Sequence, residues 1–528
     1  MSIKYVEDYR SAGNDTKTIQ AAIDNMKDGD TLVFNKCIGS TDIDGNTVYN
    51  KTYVLDEPVY LTSYNESTSI GKTRKYVTFD GNGCTITGSS DYIDTYGCTG
   101  ENNKNAYFYL SDDSQNGLQF STIKNFIFDW YDLNKLSSLS DYPSKSRSIA
   151  LAVKTCYGSL YYSNSSIENC EFYNFGNGIY QCEDRSNVRG CYFESCYKGI
   201  YSDGSVHNVF EDNYFFTTSY IGIHMNVSFD SVARNNSFYK CRNYSIFANG
   251  QYESSTDSKV MDVTITDNKI YGCYTDTRND IGIKLHALHS FTVTDNYISG
   301  ISRKSDIDGH GYGIGIWVSG NFDASLRICK SARGIISNNN VTNCYGEGIK
   351  IDVVIDCIVN GNFICNNTKY GESANKRGIV VRPDTHNVYV TNNTVSYYGE
   401  NAIKNYSSNS CEVVNNITFD ETSNLLRTVD GTTYTVPEIS IPENIDNIEN
   451  GEYFYLKIPD NYTESAVTII HYNGGSCMLC EAMPSDQSQY EGSIYTTIPT
   501  DKAGQYAVLK LFVEDSNNKF ILYGYAKL

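Results

Sequence analysis

The chain has 528 residues, of which 40% are hydrophobic, and it contains 46 tyrosines but only 8 prolines. This length exceeds what one globular core usually supports, so a long repetitive domain or two domains are expected. The formal net charge of −20 argues against nucleic acid as a partner, because proteins bind phosphate backbones through Lys and Arg. No apolar run is long enough for membrane insertion, and no signal peptide follows Met1.

The first predicted element is a short helix within an N-terminal cap over residues 1–36. Asp15 or Thr16 can serve as its N-cap, and the helix should end before Gly29. Its apolar residues fall on one face, which would close the open end of a repetitive fold. These residues are Ile19, Ala22, Ile23 and Met26. Early strands are predicted at Thr31 to Phe34 and Tyr76 to Phe79.

A repeat then runs through residues 37–430. Each unit carries an Asn between two short apolar runs, and successive Asn residues lie 21 to 43 residues apart, counting Cys170 and Cys191 at the same place. The Asn positions are Asn213, Asn236, Asn268, Asn296, Asn339, Asn362, Asn393 and Asn416. Two or three short strands per unit of this length predict one coil of a right-handed parallel β-helix, an all-β solenoid.

Two stacks of side chains follow from this repeat. An Asn at one fixed position can hydrogen-bond to the Asn of the next coil, so a structural Asn ladder is predicted. Five residues further on, cysteines recur as an inward column and should be reduced. These are Cys196, Cys241, Cys273 and Cys344. Cys477 and Cys480 have the spacing of half a zinc site, but no second pair of cysteines lies nearby to complete it.

A different pattern occupies residues 437–528. The Asn repeat stops, and longer alternating runs appear at Tyr453 to Ile458, Val467 to Tyr472 and Tyr506 to Phe512. This pattern predicts a small β-sandwich-like domain. The domain could bind glycan, mediate oligomerisation or cap the β-helix.

The opening of the chain resembles the pectate-lyase-like β-helix superfamily. The resemblance rests on Asp15 to Ala22, Gly29 to Phe34 and Val77 to Ile86, and it covers residues 5 to about 430. The superfamily includes pectate lyases, polygalacturonases, uronan epimerases and phage tailspike depolymerases. It therefore implies action on polysaccharides, and the segment Gly309-His310-Gly311 matches one element of polygalacturonases.

A second motif, Gly-Ile-X, begins a short strand in most coils. The Ile should point inward, so alternation places two outward positions on each strand. The first outward column is predicted as Tyr180, Tyr201, His224, Phe247, Lys284, Gly315, Lys350, Val380 and Lys404. The second is predicted as Cys182, Asp203, Asn226, Asn249, His286, Trp317, Asp352, Arg382 and Tyr406. Charged groups thus concentrate between Lys284 and Arg382.

Two reactions fit this outward face. In β-elimination, Lys284, His286, Lys350 or Arg382 removes a proton beside a uronate carboxylate, with Asp352 as orienting group or calcium ligand. In hydrolysis, two carboxylates act together, and Asp352 with Asp308 or Glu347 is the best pair. His310 could take part through its polygalacturonase-like segment. No cofactor is required by the sequence, although Ca²⁺ is an option, and His286 with His289 could also hold a metal.

Substrate binding is assigned to the polar and aromatic outward residues, because aromatic faces stack on sugar rings. They are Trp317, Tyr201, Asp203, His224, Asn226 and Asn249. The leading hypothesis is an enzyme that binds and cleaves an extended, uronate-containing polysaccharide. The alternative is a phage tailspike or receptor-binding protein that recognises a host glycan, which would be a homotrimer. A purely adhesive β-helix is a third option. An extracellular or virion-associated location is expected.

Overall fold

A computed structural model describes most of the repeat and the strands on either side of it. The described residues are 2–9, 14–34, 52–65, 70–72, 74–90, 92, 106–110, 117–130, 148–152, 164–181, 185–218, 220–250, 262–272, 274–275, 280–303, 313–320, 322–323, 328–329, 332–365, 377–396, 402–408, 410–419, 426–429, 432–435, 438–441, 453–457, 466–472, 477–478, 493–498, 506–514 and 517–526. The chain divides into two compact units, Met1–Asn416 and Ile417–Leu528.

The first unit begins with a strand, a 3-10 helix at Val6–Tyr9 and an α-helix at Asp15–Asp24. The helix is capped by Asn14, whose side chain accepts a hydrogen bond from the Lys17 N–H, so the predicted cap at Asp15 or Thr16 is one or two residues late. All four predicted apolar residues of the helix are buried in the same core as the first coils.

Each coil of the first unit contributes one strand to each of three long parallel sheets. The first sheet contains Ile3–Tyr5, Thr31–Val33, Thr78–Asp80, Thr122–Lys124, Ser166–Glu168, Asn187–Arg189, Val209–Glu211, Ser231–Arg234, Asp262–Thr266, Ser290–Thr294, Ala332–Ser337, Ile355–Asn360, His386–Thr391 and Glu412–Val414. The second contains Thr52–Leu55, Thr85–Gly88, Ile127–Asp129, Glu171–Tyr173, Tyr192–Glu194, Tyr214–Phe216, Ser237–Tyr239, Lys269–Tyr271, Tyr297–Ser299, Asn340–Thr342, Phe363–Cys365 and Thr394–Ser396.

The third sheet carries the Gly-Ile strands. It contains Val59–Tyr60, Ala106–Tyr109, Ile149–Ala152, Asn177–Gln181, Lys198–Asp203, Ile221–Asn226, Tyr244–Asn249, Asp280–His286, Gly313–Ser319, Glu347–Asp352, Arg377–Val381 and Ile403–Asn405. Neighbouring strands in this sheet pair in parallel. The three sheets wind along one axis, which is the architecture of a parallel β-helix.

The turn from the first sheet to the second consists of two residues at equivalent positions in successive coils. The first has a positive φ and is Asn, Asp or Gly, the residues that tolerate the left-handed region best. These residues are Asn169, Gly190, Asp212, Asn235, Asp267, Asp295, Asn338, Gly361, Asn392 and Asn415. The second is the ladder residue itself, Asn or Cys.

The predicted Asn ladder is confirmed. Asn268 Nδ2 donates to the Asn296 Oδ1 of the next coil and to the Ala233 backbone carbonyl, both at 2.9 Å. Asn268 Oδ1 accepts from the Asn236 backbone N–H at 3.0 Å. The same contacts link each ladder Asn from Asn213 to Asn416. Because these side chains are buried, the ladder satisfies turn groups that water cannot reach.

The core is a set of stacked columns. Five phenylalanines from the second sheet stack ring on ring with centroid distances of 4.7 to 5.4 Å. They are Phe128, Phe172, Phe193, Phe215 and Phe238. Cys196, Cys241 and Cys344 are buried and reduced, as predicted, whereas Cys273 lies outside the described residues.

Short pairings flank the sheets of the first unit. Arg74–Lys75 pairs in parallel with Leu118–Gln119, and Tyr274–Thr275 pairs in parallel with Ser302–Arg303. Two antiparallel pairings join Ser63–Asn65 to Ile70–Lys72 and Phe322–Asp323 to Ile328–Cys329.

The second unit is described through its strands alone. Ile417–Phe419, Leu426–Val429 and Thr432–Thr435 pair antiparallel in sequence. One further sheet contains Glu438–Ile441, Ala466–Tyr472 and Ser493–Ile498, and another contains Tyr453–Lys457, Tyr506–Glu514, Asn517–Ala526 and Cys477–Met478. Sandwich-like packing of these sheets stays a prediction. Across the described parts of both units, no helix has the length and apolar character needed to cross a bilayer.

Candidate functional site

The outer face of the third sheet is set by the alternation of its strands. In this sheet, the Ile of each Gly-Ile step from Gly199 to Gly378 is buried, and so is the residue two positions later. These inward pairs include Ile223 with Met225, Ile283 with Leu285, Ile316 with Val318, and Ile349 with Ile351. The residues between and after them therefore point outward, as predicted.

The first outward column differs from the prediction at one strand. Lys284 pairs in register with Trp317, and Trp317 pairs with Lys350, so Trp317 takes the place predicted for Gly315. The sequence has two successive Gly-Ile steps here, and the prediction used the first. The structure aligns the second step, Gly315-Ile316, with the Gly-Ile steps of the neighbouring coils. Only glycine fits at position 315, because a Cβ there would lie 2.6 Å from the Gly348 carbonyl oxygen and 2.4 Å from a Val341 methyl carbon.

The shift moves a residue into the second column that the sequence analysis missed. Ser319 pairs with His286 and Asp352, where Trp317 was predicted. The second column therefore contains Asp203, Asn226, Asn249, His286, Ser319 and Asp352. The doubled Gly-Ile step was the available signal for Ser319, since moving the register by two residues brings it into the column.

Trp317 lies between two lysines from the neighbouring coils. The Lys284 Nζ is 3.1 Å from the centroid of the Trp317 ring, and the Lys350 Nζ is 4.4 Å from it. Both lysines are well covered, with 7% and 9% of their surface exposed. Burial, and then the Lys350 charge, lowers the pKa of Lys284 to about 6, so its amine is largely neutral at pH 7. We call Lys284, Trp317 and Lys350 the lysine–tryptophan cluster.

Ser319 connects this cluster to a histidine. The Lys284 Nζ donates to the Ser319 Oγ at 2.7 Å, and the His286 Nδ1 lies 2.9 Å from the same oxygen. Burial lowers the pKa of His286, and the Lys284 charge lowers it further. Both groups therefore favour their neutral forms, in which each can accept a proton.

Lys350 is surrounded by charges of both signs. Burial lowers its pKa, while the carboxylates of Glu347 and Asp352 oppose that change and the guanidinium groups of Arg382 and Arg377 reinforce it. All four groups are therefore close enough to act on Lys350 electrostatically. This part of the face, which we call the cationic half, brings together Lys284, His286, Trp317, Lys350, Asp352 and Arg382.

The preceding coils present a different surface in the same first column. The rings of Tyr180, Tyr201, His224 and Phe247 lie one above another, with centroid distances of 4.9 to 5.1 Å. We call this stack the aromatic half. In register, Phe247 is the neighbour of Lys284, so the two halves adjoin.

A chain of hydrogen bonds runs beside the aromatic half in the second column. The Asn226 Nδ2 donates to Asp203 at 2.6 Å, and the Asn249 Nδ2 donates to the Asn226 Oδ1 at 2.5 Å. The Asn249 Oδ1 lies 2.7 Å from the His224 Nε2, so that nitrogen carries the proton in neutral His224. Burial lowers the pKa of His224 to about 3, and the Lys198 charge adds to this, so His224 is neutral.

Lys198 also belongs to the aromatic half, although the sequence analysis did not select it. Its Nζ lies 3.9 Å from the centroid of the Tyr201 ring. Burial lowers its pKa to about 8, and the nearby carboxylate of Asp203 opposes that change. The Tyr201 hydroxyl donates to the same carboxylate at 3.3 Å.

Three predicted site residues lie apart from this face or outside the description. Asp308 and His310 are not among the described residues. His289 lies between the strands Asp280–His286 and Ser290–Thr294, and its Nδ1 is 4.0 Å from the Asp262 Oδ1. Within the described ranges, no group of three or more His, Cys, Asp or Glu side chains could hold a metal ion, so the calcium option stays a proposal.

Comparison with known proteins bears on the architecture. Residues 154–281 match the family model described as right handed beta helix region. Among solved structures, the A-module of mannuronan C-5 epimerase AlgE6 from Azotobacter vinelandii is 15% identical, with a TM-score of 0.47, covering 79% of this chain and 98% of that chain.

Two further structures are similar. Bacteriophage CBA120 tailspike protein 3 is 10% identical, with a TM-score of 0.47, and the match covers 86% of this chain and 65% of the tailspike. PfbA, a surface adhesin of Streptococcus pneumoniae, is 15% identical, with a TM-score of 0.48, covering 86% of this chain and 96% of that chain. No curated protein matches the sequence. With three parallel sheets around one axis and a matching family region in its middle, the chain folds as a right-handed parallel β-helix.

Proposed function

We propose that the outer face of the third sheet binds an extended, uronate-containing polysaccharide and cleaves it by β-elimination. The observation that carries this proposal is the lysine–tryptophan cluster. In this cluster the buried amine of Lys284 is largely neutral, and Lys350 lies two coils further along the sheet. The Trp317 ring, on the coil between them, separates the two lysines. A base and a cation placed side by side suit proton removal next to a carboxylate.

In this mechanism Lys284 is the base. Its neutral amine takes the proton from the sugar carbon that bears the carboxylate, and the electron pair left behind is held by the carboxylate as an enolate. This pair forms the carbon–carbon double bond as the glycosidic carbon–oxygen bond on the neighbouring carbon breaks, and the departing oxygen takes a proton from water. Lys350 and Arg382 neutralise the negative charge that builds up on the carboxylate in the transition state.

Ser319 and Asp352 have supporting roles in this mechanism. Ser319 accepts a hydrogen bond from the Lys284 Nζ and so fixes the amine in place. Asp352 favours the charged form of Lys350, which keeps that lysine able to bind a carboxylate. Both are therefore positioning residues.

Hydrolysis is less well supported by the described residues. Asp352 and Glu347 lie five residues apart on one extended strand, Glu347–Asp352, which separates their Cα atoms by roughly 16 Å. Glycosidase carboxylates lie about 5 to 10 Å apart. Lys350 also lies between these two carboxylates along the strand.

To test the proposal, the full chain is incubated with a panel of bacterial and plant polysaccharides, with and without EDTA. A rise in ultraviolet absorbance from unsaturated uronate ends is expected. Reducing ends without that absorbance would indicate hydrolysis, and binding without either product would leave a glycan-binding protein such as a tailspike or adhesin. If no polysaccharide is bound or cleaved, the proposal is wrong. Loss of activity in EDTA would support a calcium requirement.

Two matched variants test the residues. Lys284→Met should lower the elimination rate by about 100-fold or more, the usual effect of removing a general base. Lys269→Met makes the same change at an exposed lysine on the second sheet and should leave the rate unchanged. Equal rates in both variants would remove Lys284 from the mechanism.

A further inference from the structure

The two halves of the outer face differ in charge, although they share the same columns. In the cationic half Lys284 is largely neutral, and the cations Lys350, Arg377 and Arg382 outnumber the carboxylates Glu347 and Asp352. In the aromatic half, the first column is uncharged, since His224 is neutral and its neighbours are Tyr and Phe rings.

The charges beside the aromatic half balance each other. Lys198 and Asp203 lie on the same strand, Lys198–Asp203, and act on each other electrostatically. The Asp203 carboxylate accepts hydrogen bonds from Asn226, Tyr201 and Tyr180, which hold it in the second column. An anionic sugar placed here would meet a fixed negative charge and no unbalanced cation.

His224 adds a hydrogen-bonding group to this surface. Its Nε2 donates to Asn249, so its Nδ1 is left as an acceptor. The side chain is 92% covered, and within the described part of the chain the Nδ1 has no hydrogen-bond partner. A buried acceptor without a donor is costly, and a sugar hydroxyl could supply the donor once the side chains that cover the Nδ1 move aside.

An extended chain lying along the column would contact both halves at once. His224 and Lys350 belong to strands four steps apart in the third sheet, which is about 19 Å at the usual spacing of about 4.8 Å between strands. This length corresponds to a short oligosaccharide.

We infer that the face selects a heteropolysaccharide, with a uronate against the lysine–tryptophan cluster and an uncharged, hydroxyl-bearing sugar against Tyr201, His224 and Phe247, in preference to a polymer of uronates alone. This inference rests on the proposed function, and it names the class of substrate for the same site.

Binding of matched oligosaccharides to the full chain tests the inference. The uronate-only set contains oligosaccharides such as oligogalacturonate and oligoalginate. The mixed set contains oligosaccharides in which a uronate alternates with or is interspersed among uncharged sugars, such as hyaluronan fragments and glucuronate-containing capsular repeats. We expect at least one member of the mixed set to bind about tenfold or more tightly than any uronate-only oligosaccharide of equal length. Equal or tighter binding of the uronate-only set would overturn the inference while leaving the proposed function intact. Failure of both sets to bind would overturn both.

Two variants provide an independent measurement. Asp203→Asn removes the negative charge from the aromatic half and should raise affinity for the uronate-only set by about tenfold, a gain that misfolding cannot produce. Glu412→Gln makes a matched change on the first sheet and should alter neither set. His224→Phe keeps a ring in the stack but removes the acceptor, so it should reduce the preference for the mixed set by about tenfold. An unchanged preference in both Asp203→Asn and His224→Phe would show that the aromatic half does not select the sugar.

Discussion

Replacing Lys284 by Met should stabilise the protein at neutral pH, and the gain in stability should shrink progressively as the pH rises. Methionine is similarly long and unbranched, so it can fill the space beside Trp317 without a charge. The change removes a group whose folded-state pKa is about 6 because the side chain is buried and Lys350 is near.

The sign follows from the two pKa values. In the unfolded chain Lys284 has an ordinary pKa of about 10.4, so between pH 6 and 10 the unfolded state holds a proton that the folded state has lost. The free energy of unfolding therefore increases with pH by about 1.4 kcal/mol per unit from this group alone. The penalty of burying Lys284 is absent above its unfolded pKa, and it grows as the pH falls toward 6. From pH 7 to 9 the change is about 2.7 kcal/mol.

The assay is urea unfolding of the wild-type chain and Lys284→Met at pH 7, 8 and 9. The stability advantage of the variant should shrink by about 1.4 kcal/mol for each pH unit. Lys269→Met, at an exposed lysine, controls for the loss of one positive charge from the whole protein. A difference between wild type and Lys284→Met that stays constant with pH would refute the argument that this amine is neutral in the folded state.

The remaining predictions concern the ladder and the third sheet. Asn268→Ala should destabilise the protein by about 3 kcal/mol or more in urea unfolding, because it leaves several buried donors and acceptors without partners, whereas Asn340→Ala outside the ladder should have an effect under about 1 kcal/mol. Gly315→Ala should lower stability by about 2 kcal/mol or more, since the added Cβ would overlap Val341 and the Gly348 carbonyl, and wild-type stability would contradict the register found for that strand. Trp317→Leu should weaken polysaccharide binding at least about tenfold in calorimetry, and unchanged affinity would place the ligand elsewhere.

The architecture could be predicted because the repeat imposes the same local requirement on every coil. The Asn at each ladder position has one environment, a tight turn with a buried carbonyl above it, so its spacing alone gave the coil boundaries. The inward cysteines were predictable for the same reason. The helix cap was predicted one or two residues late because Asn14, Asp15 and Thr16 are all capping residues, and only the chain geometry distinguishes them.

The candidate site was predicted less completely. Alternation along a strand gives the direction of a side chain but does not give the register of one coil on the next when a motif occurs twice, as in Gly313 to Ile316. The place of Trp317 depended on that register. The burial of Lys284 and Lys350 could not be predicted either, because an outward lysine in a strand is usually solvated. In the structure, the Trp317 ring between them and other neighbours cover both side chains.

The constant two-residue turn at the Asn ladder has a consequence for how such a protein can change. Successive ladder residues are separated by different numbers of residues, yet every extra residue enters next to the third sheet. Long connections follow Asn249, Ser299, Ser319 and Cys365, and each begins or ends at a strand of that sheet. In evolution, one of these connections could therefore lengthen at a time and change the glycan preference, while the Asn ladder and the stacked core stay the same.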